Sequence, residues 1–186
     1  IYFFYEMLSV STYPLVTHMQ DKNARKGGRT YLSYLLFTSL CLLLPALSWC
    51  YVWLDGGTVT MDFLADTGKV SFFSPTTQLV LLLLFTFGFA KAGLMPLHSW
   101  LPNAMVAPTP VSALLHAVAV VKVGVFCVIR VYSDIFGIDV LQALDGEQIL
   151  VWIACATILI SSLIALSQDN LKRRLAFSTI GQLGYV

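Results

Sequence analysis

The chain has 186 residues, of which 58% are hydrophobic and only 11% are charged. This composition excludes an ordinary soluble domain, in which roughly a quarter of the residues are charged. The net charge of +1 indicates little by itself, because the charges of a membrane protein are informative in their positions rather than in their sum.

Several uninterrupted apolar runs of about twenty residues have the length that a helix needs to cross a bilayer. A transmembrane barrel would instead show alternating strands of about ten residues, and the sequence has none. We therefore predict an all-α, polytopic bundle of five to six transmembrane helices in a single domain. The predicted membrane segments are 1–19, 30–54, 77–98, 110–132, 148–167 and 171–186. The chain begins without Met and stops inside an apolar stretch, so we expect it to be part of a longer protein.

The first segment is apolar apart from Glu6, His18 and several hydroxyl groups, and it leads into the basic connection QDKNARKGGR. Pro45 predicts a kink in the second segment. The connection after it, DGGTVTMDFLADTGKVSFFSP, is acidic through Asp55, Asp62 and Asp66. It is expected to contain a short amphipathic or irregular element.

The third and fourth segments each place a lysine in apolar sequence: LVLLLLFTFGFAKAGLMPLHSW carries Lys91, and VSALLHAVAVVKVGVFCVI carries Lys122. Four prolines separate the two lysines, and they are Pro96, Pro102, Pro108 and Pro110. Each proline lacks a backbone N–H and clashes with the preceding turn, so one continuous helix is excluded. Broken backbone at membrane depth is tolerated where it is buried in protein or lines a watery cavity. We therefore predict a proline-broken helix at a translocation site.

The remaining connections set the expected topology. An acidic connection with Asp134, Asp139, Asp145 and Glu147 follows Arg130, and SQDNLKRR precedes the last segment. Because Lys and Arg gather in cytoplasmic loops, QDKNARKGGR and DNLKRR are expected in the cytoplasm, with the first helix running inwards. We interpret both basic clusters as topology signals in preference to sites for anionic lipid or nucleic acid.

Of the 11 Lys and Arg and the 10 Asp and Glu residues, only Glu6, Lys91 and Lys122 lie clearly within apolar runs. A charge at the centre of a bilayer costs on the order of 3 kcal/mol even on lenient insertion scales. Glu6 is the simplest partner for Lys91, since a carboxylate offsets part of that cost. Such a pair could serve only to join two helices, but the second lysine favours proton transfer. Desolvation favours a neutral lysine and a nearby carboxylate opposes it, so movement or protonation of Glu6 would let Lys91 release a proton towards Lys122.

Two histidines extend this hypothesis. His116 has a side chain suited to proton relay near neutral pH, although a hydrogen-bonded packing role is the alternative. Six helical positions separate it from Lys122, so the two are expected on different faces. His98 is a secondary candidate, because it follows Lys91 by seven positions and would share its face if helix persisted through Pro96. His18 is interpreted as an interfacial residue.

Motifs for ordinary catalysis are absent from the sequence, which has no Gly-rich phosphate loop, cysteine cluster or HExxH pattern. The four cysteines are scattered singly, and we interpret them as packing residues rather than metal ligands or disulfides; they are Cys41, Cys50, Cys127 and Cys155. We expect no catalytic residue, cofactor, metal or redox centre in this chain.

The stretch AKAGLMPLHSWLPNAMVAPTPVSALLHAVAVVKVGVFCVIR resembles the signature region of the antiporter-like membrane subunits. These are shared by respiratory complex I, Mrp-type sodium/proton antiporters and energy-converting hydrogenases. YEMLSVSTYPLV resembles the fifth helix of that family, and DNLKRRLAFSTIGQLGYV resembles the start of its tenth. The resemblance implies a fold of inverted five-helix repeats, of which this chain would hold most of the first and the opening of the second.

The resemblance also implies roles for individual residues. Glu6 matches the family's glutamate partner, Lys91 the lysine of its broken seventh helix, and His116 and Lys122 its relay positions in the eighth. Asn103 departs from the pattern, because many relatives carry Asp after WLP. The presence of both His116 and Lys122 is more typical of the Mrp or hydrogenase branches than of complex I.

Together these observations predict proton translocation by one subunit of a larger membrane complex, either redox-driven or antiporting. The alternatives are sodium/proton exchange and a passive scaffold role. The expected partners are other membrane subunits, the lipid bilayer, protons and, for exchange, sodium; nucleic acid is not expected. The expected location is the cytoplasmic membrane of a prokaryote, with an organellar inner membrane as the alternative.

Overall fold

The computed structural model describes residues 2–53 and 69–185, and within these ranges the chain is helical with no β-strand. The predicted all-α fold is therefore confirmed. Of the connection 55–75, in which a short amphipathic or irregular element is expected, only residues 69–75 are described, and they begin with a short 3₁₀ helix at Lys69–Phe72. Asp55, Asp62 and Asp66 lie outside the described residues.

Ten α-helices occur in the described ranges, and in chain order they are α1 (Tyr2–Val16), α2 (Lys22–Thr38), α3 (Leu44–Trp53), α4 (Pro75–Gly88), α5 (Trp100–Ala104), α6 (Thr109–Ala113), α7 (Val120–Arg130), α8 (Gly137–Ala143), α9 (Gly146–Leu166) and α10 (Leu171–Leu183). Several of them are joined end to end by π-helical turns. Among the described residues, three continuous helices are long and apolar enough to cross a membrane: Lys22–Val52, Thr109–Ala143 and Gly146–Leu166.

The helix Lys22–Val52 differs from the predicted segment 30–54. Lysine and arginine are good helix formers, and all four basic side chains of QDKNARKGGR are exposed on the first turns of this helix instead of lying in a connection. A π-helical turn at Ser39–Leu43 lies just before Pro45. Proline offers no N–H to the carbonyl four residues earlier, at Cys41 inside that turn, so the wider turn accommodates the distortion expected at Pro45.

The helix that contains the fourth predicted membrane segment, 110–132, extends further along the chain than that segment. It continues to Ala143 through a π-helical turn at Val131–Phe136. The stretch expected to be an acidic connection is therefore helical up to Ala143. Within it, Ile135 and Phe136 are buried in the bundle. Charge density alone predicted a loop, and packing of the interleaved apolar residues overrides it.

Two hydrophobic clusters form the core. One contains Phe85, Phe89 and Phe136, and the other is built around Tyr31 and Trp100. Phe89 belongs to the first cluster and Trp100 to the second. The stretch between them, which contains no α-helix, is therefore held in place at both ends.

Candidate functional site

The predicted break in the third segment is present, but it begins before the first proline. α4 ends at Gly88, a single 3₁₀ turn follows at Ala90–Ala92, and Gly93 has a left-handed conformation with φ of 77°. Glycine adopts this conformation without a steric penalty. The predicted segment 77–98 is therefore helical only up to Gly88, and Lys91 lies in the short turn after it.

Lys91 is completely buried, with 0% of its surface exposed. Its Nζ donates a hydrogen bond to the backbone carbonyl of Tyr5 in α1 and lies 3.3 Å from the centroid of the Tyr5 ring. Both a carbonyl oxygen and an aromatic face stabilise a cation. One residue of α1 therefore supplies two interactions that compensate the burial of this lysine.

Glu6 follows Tyr5 directly, and both of its carboxylate oxygens are buried without a hydrogen-bond partner among the described residues. The expected direct ion pair with Lys91 is not formed in the part of the chain that the structure describes, where the one ion pair joins Arg130 and Asp134. Glu6 nevertheless lies in the same turn of α1 as Tyr5, whose backbone carbonyl accepts the hydrogen bond from Lys91. Burial of a carboxylate without a donor costs free energy, which sets Glu6 apart from a carboxylate held in a direct ion pair.

Trp100 anchors the broken segment from the other side. Its Nε1 donates a 2.8 Å hydrogen bond to the carbonyl of Ala90, next to Lys91. The Trp100 ring packs edge-on against Tyr31, with centroids 5.7 Å apart. The Tyr31 hydroxyl in turn lies 2.6 Å from Oγ1 of Thr12. These contacts connect the turn that bears Lys91 to α1, α2 and α5.

Sequence reasoning missed Tyr5 and these supporting residues. One signal was available for Trp100, because a buried tryptophan usually finds an acceptor for its N–H, and a helix break offers unpaired carbonyls. Tyr5 gave no such signal, since its backbone carbonyl and ring face become relevant only through tertiary packing.

We expect Trp100→Phe to destabilise the full-length protein by about 1–3 kcal/mol, because it removes the hydrogen bond from the indole N–H to the Ala90 carbonyl and puts a smaller ring into the buried contact with Tyr31. The Ala90 carbonyl keeps only the backbone N–H of Gly93 as a donor. Thermal unfolding in detergent measures this loss. Trp152→Phe is the matched control, since Trp152 is 74% exposed on α9, and it should leave the midpoint nearly unchanged. Equal midpoints for the two variants would contradict an anchoring role for Trp100.

Helix α7 approaches the Lys91 turn at Gly124. A Cβ placed on Gly124 would lie 2.6 Å from the carbonyl carbon of Lys91 and 3.0 Å from its Cβ. No real Cβ tolerates the first distance, so only glycine allows α7 to lie this close. The close approach fixes the backbone of Lys91 against α7.

Lys122 lies on a different side of α7. Residues two positions apart on a helix are separated by about 200°, so Lys122 faces away from Gly124 and hence from Lys91. Its side chain is exposed on the described surface. The structure thus places both lysines on adjoining elements without bringing their side chains together.

His98 and His116 each contact a residue of α10. Nε2 of His116, in the π-helical turn Leu114–Val118, lies 3.5 Å from the carbonyl of Leu175, and the ring of His98 lies 5.9 Å from that of Phe177. Nδ1 of each histidine is buried without a hydrogen-bond partner among the described residues. His18, by contrast, is exposed just after α1.

The arrangement as a whole defines a class of protein. Helices of membrane-spanning length and composition enclose a lysine at a helix break, together with a buried carboxylate and two histidines. Histidine rings can take up and release protons near neutral pH. This is a polytopic membrane protein with ionisable groups inside its helix bundle, where the charged residues of membrane helices are usually found.

Comparisons with known proteins identify the family. The model of the family described as "NADH:quinone oxidoreductase/Mrp antiporter, TM" matches residues 1–186, and the chain belongs to this family. The resemblance found in the sequence is thereby confirmed.

Relatives from both named groups are similar to this chain. The NAD(P)H-quinone oxidoreductase chain 5 of Synechocystis sp. is 32% identical over 191 residues, covering 100% of this chain and 27% of that protein. The putative antiporter subunit mnhA2 of Staphylococcus epidermidis is 32% identical over 186 residues, covering 100% of this chain and 22% of that protein. The Mrp complex of Dietzia sp. contains a chain with a TM-score of 0.77 and 28% identity, matched over 99% of this chain and 19% of that one. The chain therefore spans only about a quarter of its curated relatives.

Proposed function

We propose that this chain forms part of an antiporter-like subunit that translocates protons across a membrane, with Glu6, Lys91, His116 and Lys122 on the pathway and His98 as a secondary member. One observation carries the proposal: Lys91 is fully buried at a helix break, beside a Glu6 carboxylate that lacks a hydrogen-bond partner. A purely structural charge pair would be expected to satisfy its carboxylate directly.

The arrangement suggests how the binding of a proton to Lys91 is controlled. Because Lys91 binds the Tyr5 carbonyl and not the carboxylate, Glu6 is free to exchange a proton without breaking a direct contact. An ionised Glu6 favours the protonated lysine through charge, and a protonated Glu6 removes that stabilisation. The proton state of Glu6 thereby sets whether Lys91 loads or unloads.

The proposed onward route is not a direct transfer between the two lysines, since Lys122 faces away from Lys91. The buried Nδ1 atoms of His98 and His116 supply exchange positions along α10. In this proposal Lys122, whose side chain is exposed on α7, forms the outer end of the route.

The setting proposed for this subunit is a larger membrane complex, with other membrane subunits as partners and a prokaryotic cytoplasmic membrane as the location. Cyanobacterial and staphylococcal relatives support this setting. Sodium/proton exchange is the second candidate function, favoured by the likeness to antiporter subunits and to an Mrp complex. Sodium dependence of proton flux in vesicles distinguishes exchange from proton transport alone.

We expect Glu6→Gln in the full-length, assembled complex to slow proton transport by roughly tenfold or more. A nearby charge contributes on the order of 1 kcal/mol or more to the proton affinity of a lysine, and about 1.4 kcal/mol corresponds to tenfold. Pumping in reconstituted vesicles, followed with a pH-sensitive dye, measures the effect. Glu147→Gln is the control, because Glu147 is exposed in the first turn of α9, and undiminished pumping by Glu6→Gln would reject the proposal.

A further inference from the structure

The two basic clusters of the sequence meet in space. Lys26, from the first cluster, and Lys172 and Arg173, from the second, line one open cavity of about 640 Å³. We call this cavity the basic cleft. The beginnings of α2 and α10 form its walls, together with the residues around α5. Residues almost 150 positions apart in the chain thus create a single positively charged surface.

We propose that the basic cleft binds a phosphate group, and specifically the headgroup of an anionic phospholipid. The proposal concerns a site separate from the proton pathway.

The residues that line the basic cleft are suited to binding an anion. Besides the three cations, the amide side chains of Asn23, Asn103 and Asn170 line the cleft. Nδ2 of Asn103 already donates one hydrogen bond to the carbonyl of Ser99, and Asn170 accepts one from the backbone N–H of Lys172 only through its Oδ1. Each amide nitrogen carries two donors, so N–H groups remain for phosphate oxygens.

No carboxylate is among the described lining residues. Asp21 and Asp169 precede the two helices in sequence but do not line the cleft.

The cleft is also held in shape by the fold. Nζ of Lys172 donates a 3.2 Å hydrogen bond to the carbonyl of Ala107, beyond α5. On the opposite wall, a Cβ on Gly27 would lie 2.6 Å from the carbonyl oxygen of Asn103. Glycine at this position is what allows α2 to reach α5. The cations are therefore brought together by packing, which a topology signal alone does not require.

A lipid is favoured over a free anion by the border of the cleft. Leu171 and Val106 line it and are 67% and 40% exposed. Exposed apolar side chains beside a cationic site, at the end of membrane-length helices, fit acyl chains beside a phosphate headgroup. This adds a second role to residues whose sequence pattern indicates a topology signal.

The test compares two double variants of the full-length protein that remove the same number of charges from the same clusters. Lys26→Gln with Arg173→Gln alters the cleft, whereas Arg25→Gln with Arg174→Gln alters exposed neighbours that do not line it. Titration with fluorescent phosphatidylglycerol, with phosphatidylcholine as the neutral comparison, gives the affinity of each variant in detergent. Unlabelled inorganic phosphate is titrated separately.

We expect the cleft variant to bind phosphatidylglycerol roughly 30-fold more weakly than wild type, as the loss of two phosphate contacts predicts, and the control variant to bind within about threefold of wild type. Asn23→Asp, which adds one negative charge at an exposed lining residue, should weaken binding without a risk to folding. Equal weakening in both double variants, or none in the cleft variant and Asn23→Asp, overturns the proposal. Binding of inorganic phosphate that is lost in the cleft variant, without preference for phosphatidylglycerol, supports the phosphate site but overturns lipid as its source.

Discussion

Lys91→Met in the full-length protein, assembled with its partner subunits and reconstituted in vesicles, is expected to reduce proton transport by roughly 100-fold or more. This is the scale on which a positioned proton-transfer group accelerates a reaction. Methionine fills a similar volume in the buried turn but carries no exchangeable proton. Removing the lysine also removes the donor to the Tyr5 carbonyl and the cation near the buried Glu6 carboxylate, so assembly is measured beside transport. A loss of transport in a variant that assembles like the wild type is a loss of function.

A second variant at the same position separates the effect of the positive charge from the effect of proton exchange. Arginine keeps a positive charge near Tyr5 and Glu6 but does not deprotonate in proteins. Lys91→Arg should therefore assemble and still fail to transport. Lys22→Met is the control, since Lys22 is exposed at the start of α2. A passive scaffold predicts the opposite outcome, in which Lys91→Met combined with Glu6→Gln leaves both assembly and pumping intact.

Much of the architecture could be predicted because it follows from apolar length. Runs of about twenty apolar residues must be helical in lipid, where every backbone polar group needs an internal partner. Lys91 could be singled out for the same reason, since a charge within such a run needs compensation. The broken helix was predicted from the prolines, although Gly93 and the turn at Ala90–Ala92 place the break closer to Lys91 than the prolines do.

What could not be predicted depends on contacts between distant residues. The expected direct pair of Lys91 with Glu6 rested on charge complementarity, but the lysine is compensated by the Tyr5 carbonyl and ring. A backbone carbonyl exists at every position, so no residue type signals that use of it. The ends of some helices were predicted wrongly for a related reason. A π-helical turn at Val131–Phe136 continues the helix through residues that the charge pattern assigns to a loop.

Gly124 shows how a residue without a side chain determines the site. Within a helix, glycine is about 1 kcal/mol less favourable than alanine, so propensity alone predicts that Gly124→Ala stabilises α7. The structure predicts the reverse. The new Cβ would lie 2.6 Å from the carbonyl carbon of Lys91, and backbone atoms, unlike the end of a flexible side chain, cannot rotate away.

We therefore expect Gly124→Ala to destabilise the full-length protein by about 2 kcal/mol or more, in the range of overpacked cores, and to impair transport as strongly as Lys91→Met by displacing the lysine from Tyr5. Thermal unfolding and vesicle pumping measure the two effects. Gly146→Ala provides the same substitution in a tolerant place, because its Cβ would meet the end of the Leu82 side chain at 3.1 Å, and it should change stability by less than about 1 kcal/mol. If Gly124→Ala were as stable and active as Gly146→Ala, α7 would not be what holds Lys91 in position, and the proton pathway would need a different support.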